Sequence, residues 1–144
     1  MSGYGLVFKA TYVDEEQLGR NGVKKVLGSL ACGEWVGAVF SPIVTAPACS
    51  GGWGRGPLPS GQYSVGVASK LPDTKPNLSY RGQWFPWFVR VTPQFKTIRS
   101  ALLIHPDGGV PGTLGCIGVQ EYDNVVFDWI VKYRPTTLVV KEYA

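Results

Sequence analysis

The segment IHPDGGVPGTLGC, residues 104–116, holds the side chains of this sequence that are best suited to nucleophilic chemistry. It contains His105, the only histidine of the 144 residues, and Cys116, on either side of a glycine- and proline-rich stretch. An imidazole can accept the proton of a nearby thiol and so generate the thiolate, which is the nucleophilic form of cysteine. Backbone N–H groups at Gly115 and Cys116 could then stabilise the oxyanion of a tetrahedral intermediate. The segment therefore indicates a base, a nucleophile and an oxyanion site.

The cysteine content limits the other chemistry that the chain can perform. The cysteines are Cys32, Cys49 and Cys116, an odd set without C-x-x-C spacing. We expect neither a disulfide framework nor a zinc site, since one histidine and unpaired thiols do not supply a metal-ligand set. We accordingly expect no metal and no cofactor. Cys32 and Cys49 are predicted to be structural, and the same alternative stays open for Cys116, because a buried cysteine usually behaves as a small apolar residue.

The elements that must position His105 and Cys116 are predicted to be mainly β-strands. Glycines and prolines punctuate short apolar segments rich in β-branched and aromatic residues, which is typical of a β-rich domain. The length of 144 residues favours a single domain, residues 1–144. Predicted strands lie at 5–13, 29–40 (as two short strands meeting at Gly33-Glu34), 62–68, 84–92, 101–105 and 136–143, and predicted loops at 14–25, 41–61 and 69–83.

One helix is predicted in the C-terminal half, over residues 121–133. Its apolar residues recur at helical spacing and form one stripe along the helix. Pro135 is expected to end it, because proline cannot continue the backbone hydrogen bonding. The stripe consists of Val125, Val126, Trp129, Ile130 and Tyr133.

The net charge of +4 and the sequence pI near 9.0 favour an anionic partner. Nucleic acid, anionic lipid and an acidic cell-wall polymer all satisfy this condition. The basic residues are scattered and form no run, which argues against nucleic acid. No stretch approaches the roughly 20 apolar residues that a membrane span needs. The first residues lack a basic segment followed by an apolar run, so we expect no signal peptide and synthesis in a cytoplasm.

The segments LLIH, TLGC and IGV resemble the active-site region of L,D-transpeptidase (YkuD-type) domains, and SGGWGRGPLPSGQYSV (50–65) resembles the segment that precedes a strand in many of them. In that family an apolar strand ends in histidine, and Ser/Thr-His-Gly-Cys follows a glycine-bearing loop. The likeness spans roughly residues 50–141. It implies a mainly β sandwich or barrel, Cys116 as the acylated nucleophile and His105 as its base. It also implies that the Pro106 carbonyl orients the imidazole and that Gly115 and Cys116 supply oxyanion N–H groups.

Departures from the family pattern favour hydrolysis over cross-linking. Leu114 stands where the family usually has a second histidine, Gly118 stands where an arginine is often found, and the loop between His105 and Cys116 is shorter. The shortened loop is similar to that of effector toxins and phage-type lysis enzymes of this kind. The resemblance implies peptidoglycan stem peptides as substrate and an immunity or delivery protein as a further candidate partner. It also implies action at the bacterial cell wall or periplasm after delivery or release.

Three further residues are candidates for substrate binding. Arg99 could hold a stem-peptide carboxylate by paired hydrogen bonds. Thr113 occupies the Ser/Thr position of the family motif, and Trp87 belongs to an aromatic run that could form a substrate wall. Core packing is the alternative for that run, since aromatic runs usually serve burial. Asp107 could orient or tune His105, or else cap a turn with Gly108.

Other functions stay open beside a cysteine-dependent stem-peptide hydrolase acting as carboxypeptidase or endopeptidase. The same acyl-enzyme could transfer to an amine, in cross-linking or amino-acid exchange. An inactive wall-binding or phage structural module on the same fold is a second alternative. Nucleic-acid binding depends on charge alone and ranks last.

Overall fold

Eight strands and one helix make up the computed structural model, which describes residues 2–13, 25–51, 56–74, 81–82, 84–107 and 116–141. The prediction of a mainly β chain with one helix in the C-terminal half is confirmed. The elements are β1 (Ser2–Val13), β2 (Lys25–Val36), β3 (Val39–Gly51), β4 (Gly61–Lys70), β5 (Trp87–Pro93), β6 (Leu102–Pro106), β7 (Ile117–Val119), α1 (Asp123–Tyr133) and β8 (Thr137–Lys141).

The strands close into a barrel in the order β1-β2-β3-β7-β6-β5-β4-β8. Two neighbouring pairs are parallel, β1 with β8 and β6 with β7, and the other pairs are antiparallel. Successive side chains of a strand point to opposite faces, so each strand supplies alternate residues to the barrel interior. The interior is apolar, and its fully buried members include Leu6, Leu30, Ile104, Ile117 and Leu138.

Two strands meet within the predicted segment 29–40, but both are longer than predicted, since β2 ends at Val36 and β3 begins at Val39. The turn lies at Gly37, where φ is +61°, and not at Gly33-Glu34. Gly33 stays within β2, at a register shift against β3. A Cβ atom there would lie 2.1 Å from the backbone oxygen of Ser41, so this glycine permits a close approach of two strands.

The predicted loop at 41–61 is wrong over 41–51, which belongs to β3. The signal for a loop came from Pro42 and Pro47, which usually interrupt a sheet. β7 pairs with β3 only at Ala48, Cys49 and Ser50, so both prolines lie where β2 is the sole strand partner of β3. A missing N–H costs no ladder hydrogen bond at such an edge. Most of the predicted loop at 14–25 lies outside the described residues.

The helix begins and ends close to its predicted limits. Arg134 adopts the left-handed conformation, with φ +48°, and its N–H donates to the Ile130 carbonyl at 2.9 Å. Pro135 follows directly. The buried face contains Phe127 in place of the predicted Val125, which is 42% exposed. Both residues flank the stripe, and the phenyl ring buries more apolar area than the valine side chain does.

No helix within the described parts of the chain has both the length and the apolar character needed to cross a membrane.

Ile130 tests how much the packing of α1 against the barrel stabilises the fold. It is 2% exposed, so Ile130→Ala should lower the free energy of unfolding by about 2–5 kcal/mol. The matched control is Ile98→Ala at a residue that is 84% exposed, which should change it by less than about 0.5 kcal/mol. Urea unfolding followed by tryptophan fluorescence measures both. Equal effects of the two variants would contradict the described packing of α1.

Candidate active site

The pairing of β6 with β7 brings His105 and Cys116 to the same face of the sheet. In this parallel pair His105 lies opposite Gly118. Cys116 precedes β7 and is two residues from Gly118, so the alternation of side chains places it on the face that His105 occupies. The thiol of Cys116 makes a hydrogen bond with the backbone of Leu103, which is two residues before His105. His105 and Cys116 thus share one face of the sheet, on adjacent strands and two positions apart in the register.

That face is the outer one, since the intervening residues point into the core. Ile104 and Ile117, opposite one another in the register, are both fully buried inside the barrel. His105 is nonetheless only 8% exposed and Cys116 is half-buried. The candidate base and nucleophile are therefore held in a largely desolvated position outside the hydrophobic core.

The imidazole of His105 is oriented by a backbone carbonyl. Its Nδ1 lies 2.7 Å from the Pro106 oxygen. A carbonyl oxygen only accepts hydrogen bonds, so Nδ1 must carry the hydrogen in this contact. The neutral ring then has its lone pair on Nε2, the nitrogen that can accept a proton from a thiol. This is the contact that the family resemblance implies for the residue after the histidine.

Burial keeps both groups uncharged at neutral pH. Desolvation lowers the pKa of His105, although the Pro106 carbonyl and the charge of Asp107 oppose it. Desolvation likewise raises the pKa of the Cys116 thiol, opposed by the Leu103 backbone contact and by the charge of Arg99. The resting pair is thus a neutral imidazole and a neutral thiol, which suits general-base activation at the moment of attack and not a preformed ion pair.

A second thiol and a carboxylate lie on the other side of Gly118. Cys49 on β3 is opposite Gly118 in the register, and its Sγ lies 3.5 Å from Asp107 Oδ2. Burial raises the pKa of the Asp107 carboxyl, and the Cys49 contact and the charges of Lys25 and His105 oppose that rise. The Pro106 carbonyl contacts the His105 ring at Nδ1, and Asp107 acts on the ring through its charge. The alternative turn cap with Gly108 lies outside the described residues.

Ser50 contacts the backbone of the candidate nucleophile and is absent from the residues predicted by sequence. Its Oγ lies 2.7 Å from the Cys116 oxygen and accepts the Leu58 N–H at 2.9 Å. Ser50 is fully buried at an inward position of β3, where the preceding inward residues are Ala46 and Ala48. A hydroxyl in an apolar alternation is the signal that could have found it, had 41–51 been predicted as a strand.

The guanidinium of Arg99 holds the segment that follows Ser50 along the chain. Its Nη1 donates to the Pro57 carbonyl at 3.2 Å and its Nη2 to the Gly56 carbonyl at 3.0 Å. The paired hydrogen bonds expected for a substrate carboxylate thus go to backbone oxygens here. The positive charge still acts on Cys116, whose thiol pKa it lowers.

Trp87, another predicted substrate residue, is not brought to the site. Trp87 is fully buried in the core, with its ring centroid 5.5 Å from that of Phe127, so it offers a substrate no surface. The burial of Trp87 agrees with core packing, the alternative interpretation of the aromatic run. Trp84, in the same run, is 58% exposed. Thr113 and Gly115 lie outside the described residues.

No metal centre can be assembled from the described residues, among which no three histidine, cysteine or acidic side chains are grouped to hold an ion.

Comparison of the chain with protein-family models, curated proteins and solved structures gives no match.

Alkylation by iodoacetamide tests the neutral-pair description. Cys116 should react before Cys32 and Cys49, which are fully buried. Because its pKa is raised, the alkylation rate of Cys116 should continue to increase at pH values where an ordinary thiol has already reached its maximal rate. Cys32 should react last in the folded protein, since burial raises its pKa to about 12. Peptide mass spectrometry after timed quenching measures each site. A Cys116 rate that is already at its plateau at pH 6 would indicate a preformed thiolate and contradict the description.

Proposed function

We propose that this chain is a cysteine-dependent hydrolase of peptidoglycan stem peptides, with Cys116 as nucleophile and His105 as general base. The observation that carries the proposal is the 2.7 Å contact between His105 Nδ1 and the Pro106 oxygen. Because Nδ1 carries the hydrogen, Nε2 is the nitrogen that can accept a proton. His105 shares its sheet face with Cys116. The resemblance of the 102–119 segment to L,D-transpeptidase domains supplies the substrate class.

The reaction starts from the neutral pair. His105 Nε2 takes the thiol proton as the Cys116 sulfur attacks the carbonyl carbon of a stem-peptide bond. The oxyanion is stabilised by the N–H groups of Gly115 and Cys116. The imidazolium then returns the proton to the leaving amine, and a thioester joins the stem peptide to Cys116. Water, deprotonated by the same imidazole, attacks the thioester and releases a carboxylate and the free thiol.

Hydrolysis is favoured over transfer by what the acceptor side lacks. Transfer to an amine requires polar groups that hold and deprotonate the acceptor, and the family places a histidine and an arginine beside the cysteine. This chain has Leu114 and Gly118 at those positions. Gly118 lies opposite His105 and presents no side chain to an incoming amine. Water needs no such site and competes well.

The setting of the proposed activity follows from its substrate. A net charge of +4 favours contact with an acidic wall polymer. The enzyme would act at the bacterial cell wall or periplasm after delivery or release, with an immunity or delivery protein as a further partner.

Mass spectrometry of digested muropeptides tests the reaction. The intact protein and the control Cys32→Ala, altered in a core residue of β2, should produce shortened or cleaved stem peptides. Cys116→Ala should produce none, and His105→Ala should lower the rate by about 10²–10⁴-fold, as loss of a general base does. The double variant should lose little more than Cys116→Ala, because the two residues act as one unit. Mainly new cross-links would indicate a transpeptidase, and binding without any product would indicate a wall-binding module.

The pH dependence of kcat/KM tests the protonation states. On the acid side His105 becomes protonated and can no longer accept the thiol proton, so its lowered pKa places that midpoint below 6.5. On the basic side the thiol loses the proton needed by the leaving amine, so its raised pKa places that midpoint above 9.0. We therefore expect a plateau between these values. A fall in activity between pH 7 and 9, as an imidazolium–thiolate pair would give, contradicts the mechanism.

A further inference from the structure

Ser50 is a polar residue in the apolar interior of the barrel. It is fully buried on β3 and lies opposite Ile117 of β7 and Val26 of β2, both of which belong to the core. A buried hydroxyl is costly unless its hydrogen-bonding capacity is used. Its two contacts therefore explain why a serine is tolerated at this position.

The two contacts set the direction of the Ser50 hydroxyl. The Leu58 N–H, which can only donate, is directed at Oγ at 2.9 Å. The hydroxyl hydrogen is then donated to the Cys116 carbonyl, 2.7 Å away. One side chain thus joins β3, the buried Leu58 and the residue that carries the candidate nucleophile.

Cys116 is held from both neighbouring strands. On the β6 side, the Leu103 backbone contacts its thiol. On the β3 side, the β3–β7 ladder ends where Ser50 pairs with Ile117, one residue short of Cys116. The hydrogen bond from the Ser50 hydroxyl to the Cys116 carbonyl adds a contact with β3 one residue beyond the end of this ladder. The two contacts together restrict the rotation of the backbone from which the thiol projects.

We propose that Ser50 is a positioning residue that directs the Cys116 thiol toward His105 by holding the Cys116 carbonyl. For turnover this inference rests on the proposed function. The reactivity of the thiol can be measured without any substrate, so the two can be tested apart. Arg99 assists, since its bonds to the Gly56 and Pro57 carbonyls hold the segment that leads to Leu58.

A double-mutant cycle between Ser50 and His105 tests the positioning. The measured quantity is the rate of Cys116 alkylation by iodoacetamide, in the protein with and without His105→Ala. Ser50→Ala should reduce the His105-dependent part of that rate by about tenfold, because a displaced thiol loses its base. Ser50→Thr keeps the hydroxyl and should restore much of the loss. With stem peptides as substrate, Ser50→Ala should lower kcat by about tenfold and change KM by less than about twofold.

Val140→Ala is the matched control for lost stability. Val140 is 4% exposed on β8, which lies across the barrel from β7 in the strand order. This variant should lower the melting temperature while leaving the alkylation rate and kcat unchanged. Should Ser50→Ala fail to fold, Ser50→Cys provides a near-isosteric residue with a weaker donor, and the same loss is expected in part.

The outcomes separate the two proposals. If Ser50→Ala behaves like Val140→Ala, with a lower melting temperature and unchanged thiol reactivity and kcat, Ser50 is only structural and the inference is overturned. If no variant or parent yields shortened stem peptides, but the His105-dependent alkylation still falls in Ser50→Ala, the positioning stands and the proposed substrate is wrong.

Discussion

The register of the parallel pair β6–β7 is the constraint on which the candidate site depends. It places Gly118 opposite His105, and Ile117 opposite Ile104 inside the barrel. A slip of one residue would turn Cys116 into the core and expose Ile117 and Val119. Each of these side chains is stabilised by burial by about 1.5–3 kcal/mol, so the apolar residues of β7 hold the register that sets the outer face. The register that buries Ile117 and Val119 is therefore the same register that places the Cys116 thiol on the outer face.

Desolvation then decides the chemistry that the pair can perform. A buried imidazole and a half-buried thiol both favour their neutral forms, which lowers the pKa of His105 and raises that of Cys116. In the proposed mechanism, attack by Cys116 is therefore coupled to proton transfer, and the Pro106 carbonyl matters because it selects the tautomer able to receive the proton. Asp107, held beside Cys49, contributes a nearby negative charge that favours the imidazolium as it forms. In the proposed mechanism, charge separation is thus restricted to the transition state.

The polar contacts inside the barrel connect the fold to the site. Leaving a buried hydroxyl without its hydrogen bonds costs about 1–3 kcal/mol of folding free energy. The fold is therefore most stable when both hydrogen-bond partners of Ser50 are in place. Those partners are the N–H of Leu58, whose side chain is buried in the core, and the carbonyl of Cys116. A displacement of Leu58 would therefore change the position of Cys116, the proposed nucleophile.

Local signals in the sequence determined the mainly β class and the helix followed by Pro135, and they placed His105 and Cys116 in one turn-rich segment. These depend on residues that are near one another along the chain, such as the apolar stripe of α1 and the strand-like run before His105. The prediction that the residue after the histidine supplies a carbonyl came from the family resemblance, and the structure contains that contact.

Only the tertiary structure decided which residues meet. The closure of the barrel, the strand at 39–51 and the burial of Trp87 depend on partners far along the chain, whose pairing leaves no local periodicity. Ser50 is the clearest case, because its contacts with Leu58 and Cys116 exist only once β3 lies beside β7. Sequence periodicity specifies which face of an element is apolar, but the partner of a buried polar group is set by the long-range register, which folding alone establishes.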